Sequence, residues 1–282
     1  MSGMPDTRPQ PPAVLTSEPP PVGAAKPAVY WTVEGPPDAP AIVFVHGAMM
    51  GHSVWRPQID ALSQRYRCIS VDLPGHGTQR AERFTLDRAV DTVTRAIDAE
   101  AGGQAVVVGL SLGGYTSVLV AGRHPERVRG LVIAGMTREP AGVSRLAFQL
   151  YGWFLRLTPE RAVSQVALAW FRQRYGRERG TAITAGGHFA KGGGNAVLGL
   201  AKGAYREPLK SYGGPILVIN GELDVVFRIG QDRFLQGVDK VTRRMIRRAG
   251  HLSNVDQPEV FTALVEEFIT SLHDPVDASP TA

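Results

Sequence analysis

Residues 105–114 read AVVVGLSLGG. An uninterrupted apolar run with three adjacent valines predicts a strand over Ala105–Leu110. It should be covered on both faces, because apolar and polar positions do not alternate. A helical stretch, Leu112–Arg123, begins one residue later, so Ser111 falls on the turn between strand and helix. Gly109, Ser111 and Gly113 form G-x-S-x-G, and strand-then-helix is the context in which that pattern lifts a serine onto a sharp turn. Side chains at positions 109 and 113 would collide across such a turn. The helix opening at Leu112 aims its free N–H groups and the positive end of its dipole at the serine oxygen. Ser111 is the candidate nucleophile.

The texture repeats in both directions. Ala41–Val45 (AIVFV), Arg67–Leu73, Val128–Ala134 and Pro215–Asn220 read as further strands, with a less apolar one over Val241–Arg248. Val54–Gln64, Leu86–Glu100 and Pro258–Leu272 read as helices. Strand–helix alternation predicts an α/β fold with a mostly parallel sheet and right-handed crossovers. Arg243, Arg244, Arg247 and Arg248 mark the last strand as an edge guarded by charge. Residues 138–210 break the rhythm: no clear strand, but Phe148, Tyr151, Trp153, Phe154, Trp170, Phe171 and Phe189. They are expected to form a helical cap inserted into a core of 29–137 and 211–273. Glycines at 186–187 and 192–194 read as points where the cap flexes to admit substrate. Residues 1–28, which hold eight of the 21 prolines, and 274–282 are expected to be disordered tails.

Composition bounds the rest. The chain has 282 residues, 43% hydrophobic and 20% charged, enough for one large core without staples. One cysteine, Cys68, excludes an intramolecular disulfide and a Cys₄ or Cys₂His₂ zinc site. No apolar run reaches the ~18 residues of a membrane span. The N-terminus lacks the apolar run of a secretory leader, so a cytoplasmic location is expected. The formal charge is +5, but residues 138–210 carry 12 Lys/Arg against four Asp/Glu, a local +8. That reads as a solvated face, or more sharply as steering of an anionic substrate or docking to an acidic surface. No motif supports nucleic-acid binding, and no sequence feature sets an oligomeric state.

A serine hydroxyl needs a base. On a strand–serine–helix turn the partners follow in the order acid, then histidine. Of seven histidines, only His251 and His273 lie far enough downstream. His251, in Ala249-Gly250-His251 after the last strand, is the candidate base; His273 falls in the polar tail. Asp224, after Pro215–Asn220, is the candidate acid, with Glu222 next and Glu139 as the carboxylate after the preceding strand. The oxyanion hole needs two backbone N–H groups. Leu112 should supply one and Ala48 the other, with Met49 as the alternative. His46, Gly47 and His76 read as loop-shaping residues.

Together these residues resemble the α/β-hydrolase family over about residues 29–272. The marks are HGAMMGHSVW at 46–55, DLPGHG at 72–77, GLSLGG at 109–114, GELD at 221–224 and AGHLSNVDQPEVF at 249–261. The resemblance implies an eight-stranded, mostly parallel sheet with a helical cap and a Ser111–Asp224–His251 triad that uses no cofactor and no metal. Serine at 111 disfavours members with an Asp nucleophile, and HGAMM differs from the HGGG oxyanion loop. The chain is most similar to small esterases, enol-lactonases and cofactor-free haloperoxidase-like enzymes. Met49, Met50, Trp55, Leu112, Met136, Val225 and Val226 flank the predicted site as candidate walls of an apolar pocket. The expected activity is hydrolysis of a carboxylic ester, thioester or lactone of a mainly apolar small molecule. Alternatives are perhydrolysis or C–C bond hydrolysis by the same triad, and a non-catalytic small-molecule receptor.

Overall fold

The computed structural model describes residues 29–272; the tails expected at 1–28 and 274–282, and His273, lie outside the described residues. The strands are β1 (Trp31–Glu34), β2 (Ala41–Val45), β3 (Arg67–Val71), β4 (Ala105–Leu110), β5 (Val128–Ala134), β6 (Ile216–Gly221) and β7 (Val241–Ile246). They form one sheet in the order β1-β3-β2-β4-β5-β6-β7. Only β1 runs antiparallel to its neighbour. The described residues thus hold seven strands rather than the eight implied by the resemblance.

Alternate strand residues enter opposite cores, as the pleat requires. Val43, Val45, Ile69, Val71, Val107, Leu131 and Ile133 face one cluster. Ile42, Phe44, Cys68, Val106, Val108, Val132 and Leu217 face the other. Helices cover both faces, which is why these strands read as unbroken apolar runs. The first face is covered by α2 (Leu86–Glu100), with Thr85 accepting the Arg88 N–H as its N-cap, and by α3 (Leu112–Arg123). The second is covered by α1 (Arg56–Leu62) and the C-terminal helix, Pro258–Ser271.

Between β5 and β6 lie α4 (Val143–Leu157), α5 (Glu160–Tyr175), α6 (Arg177–Ile183), α7 (Ala190–Leu200) and the short α8 (Arg206–Ser211). The short helices α9 (Val225–Arg228) and α10 (Gln231–Leu235) follow β6, and α11 (Ser253–Asp256) precedes the C-terminal helix, α12. Gly192, Gly193 and Gly194 are not hinge points: they lie inside α7, buried. A Cβ on Gly192 would overlap the Gly75 carbonyl, one on Gly193 would overlap Met49, and one on Gly194 would lie 2.6 Å from the Gly152 carbonyl. They are small because α7 packs backbone-close against the loops that carry Gly75 and Met49 and against α4.

Candidate active site

Six parallel strands send their carboxyl ends to one edge of the sheet. The order reverses between β2 and β4, and ligands of open α/β sheets lie at such a point. The loops carrying Ala48 and Ser111 leave from those two strands. Ser111 adopts φ 51° and ψ −114°, a conformation an L residue holds only when its surroundings enforce it. The enforcement is visible. Its N–H donates to the Ala134 carbonyl at 2.8 Å, and its carbonyl accepts the Tyr115 N–H at 3.0 Å. A Cβ on Gly109 would overlap the Gly113 carbonyl, and one on Gly113 would overlap the Val45 carbonyl, so both glycines are required by space.

His251 follows β7 and donates or accepts through Nδ1 at 2.8 Å from Asp224 Oδ2. With a carboxylate there, Nδ1 carries the proton and Nε2 is left as the free base. Asp224 is buried, held by its N–H on the Gly221 carbonyl and by the Leu223 N–H on Ala249. The other candidate acids are engaged elsewhere. Glu222 Oε2 accepts the Arg248 N–H at 2.9 Å, and Glu139 Oε1 accepts the Tyr205 N–H at 2.9 Å. Burial pushes the Glu139 carboxyl above its ordinary range.

Ala48 and Met49 differ in a way the sequence could not show. The Met49 N–H donates to His76 Nε2 at 3.1 Å, and the Met49 carbonyl accepts the Phe189 N–H at 2.8 Å. Its donor is therefore occupied. The N–H groups of Ala48 and of Leu112, the first residue of α3, have no hydrogen-bond partner among the described residues. Two buried neutral imidazoles hold this arrangement. His76 Nδ1–H donates to the Pro74 carbonyl at 3.0 Å, while His46 accepts the Leu73 N–H on Nε2 and donates from Nδ1 to the Gly47 carbonyl. Burial, reinforced by the neighbouring His46, pushes the His76 imidazole down to about 3. Burial also lowers His46. Asp72 closes the next loop: it accepts from the His52 N–H and ring and from the Thr78 N–H and hydroxyl.

Ser111, His251 and Asp224 line one cavity of about 480 Å³. Gly47, Ala48, Met50 and Leu112 form its floor, Ala147, Phe148 and Tyr151 of α4 and Val197 and Leu200 of α7 its roof, and Val226, Phe227 and Leu252 its side. Of the pocket residues expected from sequence, Met50, Leu112 and Val226 are walls. Trp55, Met136, Met49 and the exposed Val225 are not. Trp55 is fully buried, its ring 5.1 Å from Phe44 and 5.9 Å from Phe261, because the turn before α1 folds it under the sheet. Met136 is fully buried against Gly114. Met49 is spent on the clamp to His76 and α7.

Three further features of the site arise from contacts between distant segments. Gly135 has φ +59°, and a Cβ there would lie 3.0 Å from His251 Cε1 and Nδ1 and 3.4 Å from Asp224 Oδ2. A glycine at a strand's end was the available clue. Phe227 stacks on His251 at 4.7 Å and 22° and meets Phe148 of α4 edge-on. Asp256 accepts the Gly250 N–H at 2.7 Å and the Tyr175 hydroxyl at 2.9 Å, tying α5 to the His251 loop.

A strained serine after a parallel strand, a histidine–carboxylate pair across from it and two free N–H groups at the switch point define a nucleophile-elbow α/β protein. The model of the alpha/beta hydrolase family matches residues 42–264, and the chain belongs to that family. The chain is 29% identical over 252 residues to 3-oxoadipate enol-lactonase 1 of Acinetobacter baylyi, covering 85% of this chain and 92% of the relative. It is 28% identical over 254 residues to the pimeloyl-[acyl-carrier protein] methyl ester esterase of Nitrosomonas europaea, covering 82% and 96%. The crystal structure of the enol-lactonase from Burkholderia xenovorans LB400 shares the fold with a TM-score of 0.72 and 24% identity, covering 86% of this chain and 96% of that one.

Proposed function

We propose that the protein is a serine hydrolase that cleaves a carboxylic ester, thioester or lactone of a mainly apolar small molecule. The observation that carries this is the His251–Asp224 pair at 2.8 Å opening onto the same cavity as a serine held at φ 51°. A binding site needs an apolar cavity, but it does not need a base oriented by a buried carboxylate beside a strained serine. The ester and lactone substrates named for the relatives are consistent with this chemistry.

In this reading His251 Nε2 takes the Ser111 hydroxyl proton as Oγ attacks the acyl carbon. Asp224 keeps the imidazole in the Nδ1–H tautomer and stabilises the cation that forms. The tetrahedral oxygen is held by the Ala48 and Leu112 N–H groups, and the positive end of α3 adds to that field. His251 then protonates the leaving oxygen or sulfur, which leaves an acyl ester on Ser111. Water enters, loses its proton to His251, and releases the acid and the free serine. α4 and α7 serve as the cap that closes the apolar side of the cavity.

The test is labelling by a fluorophosphonate alongside a panel of p-nitrophenyl esters of graded chain length, lactones and thioesters. Wild-type protein should be labelled and hydrolyse members of the panel. Ser111→Ala should lose both while folding normally, since no core atom is removed. More than about a tenth of wild-type turnover in that variant would end the assignment. An unlabelled, inactive wild type that binds panel members would make the protein a receptor.

A further inference from the structure

Five apolar side chains of α4 lie on a face that the fold leaves uncovered. Val143, Leu146, Leu150, Trp153 and Leu157 recur at alternating spacings of three and four residues, which stacks them along one side of the helix. Every one is between 51% and 86% exposed, whereas the buried residues of α4 are Gly152 and Leu155. Scattered exposed apolar residues are ordinary, but a continuous stripe marks a contact surface.

The stripe also adjoins the residues of α4 that roof the catalytic cavity. Val143 and the exposed Ile229 wall one shared depression, and Tyr151 and the exposed Val226 wall the cavity itself. Its border is basic. Arg138, Arg206 and Arg233 line the depression against two glutamates, and the Arg156 guanidinium lies 4.7 Å above the Trp153 ring. The whole insertion carries 12 Lys/Arg against four Asp/Glu.

That charge separates the possible occupants. A second copy docked on this face would bring two strongly basic insertions together. A bilayer with anionic headgroups answers the charge, and it takes up Trp, Leu and Val side chains at the headgroup level beside arginines. We propose that α4 docks on an anionic membrane surface, lying along it with the cavity mouth beside the bilayer. The substrates would then be lipophilic esters that partition into the membrane, a consequence that rests on the hydrolase reading.

The docking is read apart from turnover by using the full chain with Ser111→Ala. Vesicles of phosphatidylcholine, alone or mixed equally with phosphatidylglycerol, are sedimented with the protein, and tryptophan emission is recorded. The mixed vesicles should bind roughly tenfold or more tightly than phosphatidylcholine, with a blue shift from Trp153. Leu150→Glu should lower that binding roughly tenfold, and Arg156→Glu should weaken binding to the mixed vesicles alone. In an otherwise wild-type chain, Leu150→Glu should leave hydrolysis of a short, water-soluble ester unchanged, which shows that the fold is intact. Equal binding by parent and Leu150→Glu, or no partition into mixed vesicles, overturns the proposal. A dimer in buffer that Leu150→Glu dissolves, without vesicle binding, gives the face to a second copy. Vesicle binding by a chain that hydrolyses no ester would remove the hydrolase reading and leave the docking in place.

Discussion

Replacing Gly135 by alanine should separate the geometry of the base from the stability of the fold. Two effects are expected. The first is backbone strain: φ is +59°, and an L residue there costs about 1–2 kcal/mol, or roughly 2–8 °C in Tm for a chain of this size. The second is contact. The new Cβ would sit 3.0 Å from His251 Cε1 and Nδ1, whereas non-bonded atoms prefer about 3.5–4.0 Å. The imidazole must therefore move by roughly half an ångström, away from the serine or away from Asp224. A 1 Å misplacement costs about 100-fold in rate, so kcat should fall about tenfold with KM little changed. Gly102 supplies the control. It has φ +60° and nothing within 4 Å of its Cβ position, so Gly102→Ala carries the strain without the contact. The assay is kcat and KM on the best p-nitrophenyl ester, with thermal unfolding of both variants. If Gly135→Ala loses no more activity than Gly102→Ala at a comparable Tm, the packing of Gly135 does not position His251, and the reasoning fails.

Asp224→Asn should lower kcat by roughly 10³–10⁴, because the imidazole loses the acceptor that sets its tautomer, while Glu222→Gln, which only weakens a bond to the Arg248 N–H, should cost far less. The reverse ranking in steady-state kinetics would move the acid to Glu222, and small losses in both would move it to Glu139. Acidification should weaken the fold through His76: its unfolded imidazole takes up a proton near 6.5 and its buried one only near 3, so the unfolded chain binds more protons in that window and stability falls as the pH drops through it. His76→Gln, compared with wild type by urea midpoints across the window, should show a shallower pH slope; parallel slopes would show that His76 is not held neutral by the fold.

The parts of the molecule that follow from local chemistry were legible in the sequence. Strands β2, β4 and β5 and helices α2 and α3 lie where apolar runs and amphipathic spacing put them, since both faces of the sheet are covered and each run is unbroken. The G-x-S-x-G turn could be read for the same reason: a serine between two glycines, after a strand and before a helix, has few conformations open to it. What was not legible depends on approach between distant segments. β1 is short, half-buried and at the edge, so Trp31–Glu34 has no run to announce it. Trp55 and Met136 flank site residues in sequence, but their direction is set by the sheet below them. The glycines of α7 look like flexible points in a string of letters. Only the neighbouring Gly75 carbonyl and Met49 show that they exist for contact.

The two buried histidines support the proposal that the HGAMM loop supplies half of an oxyanion hole. A loop that must present one N–H to the cavity has to satisfy or hide its others, because an unpaired buried donor costs about 1–3 kcal/mol. Here the Met49 N–H goes to His76 and the Met50 N–H to the Gly47 carbonyl, while the Ala48 N–H has no partner among the described residues and Ala48 lines the cavity. His76 can accept that bond only while neutral, and burial keeps it neutral far below its ordinary range. The same burial that disfavours the charged ring therefore keeps the Met49 N–H engaged. His46 does the equivalent work one loop away, accepting from Leu73 and so fastening the Asp72 loop to the strand that carries Ala48. Neither imidazole lines the cavity, yet His76, by taking up the Met49 N–H, leaves Ala48 as the oxyanion donor of the proposed mechanism.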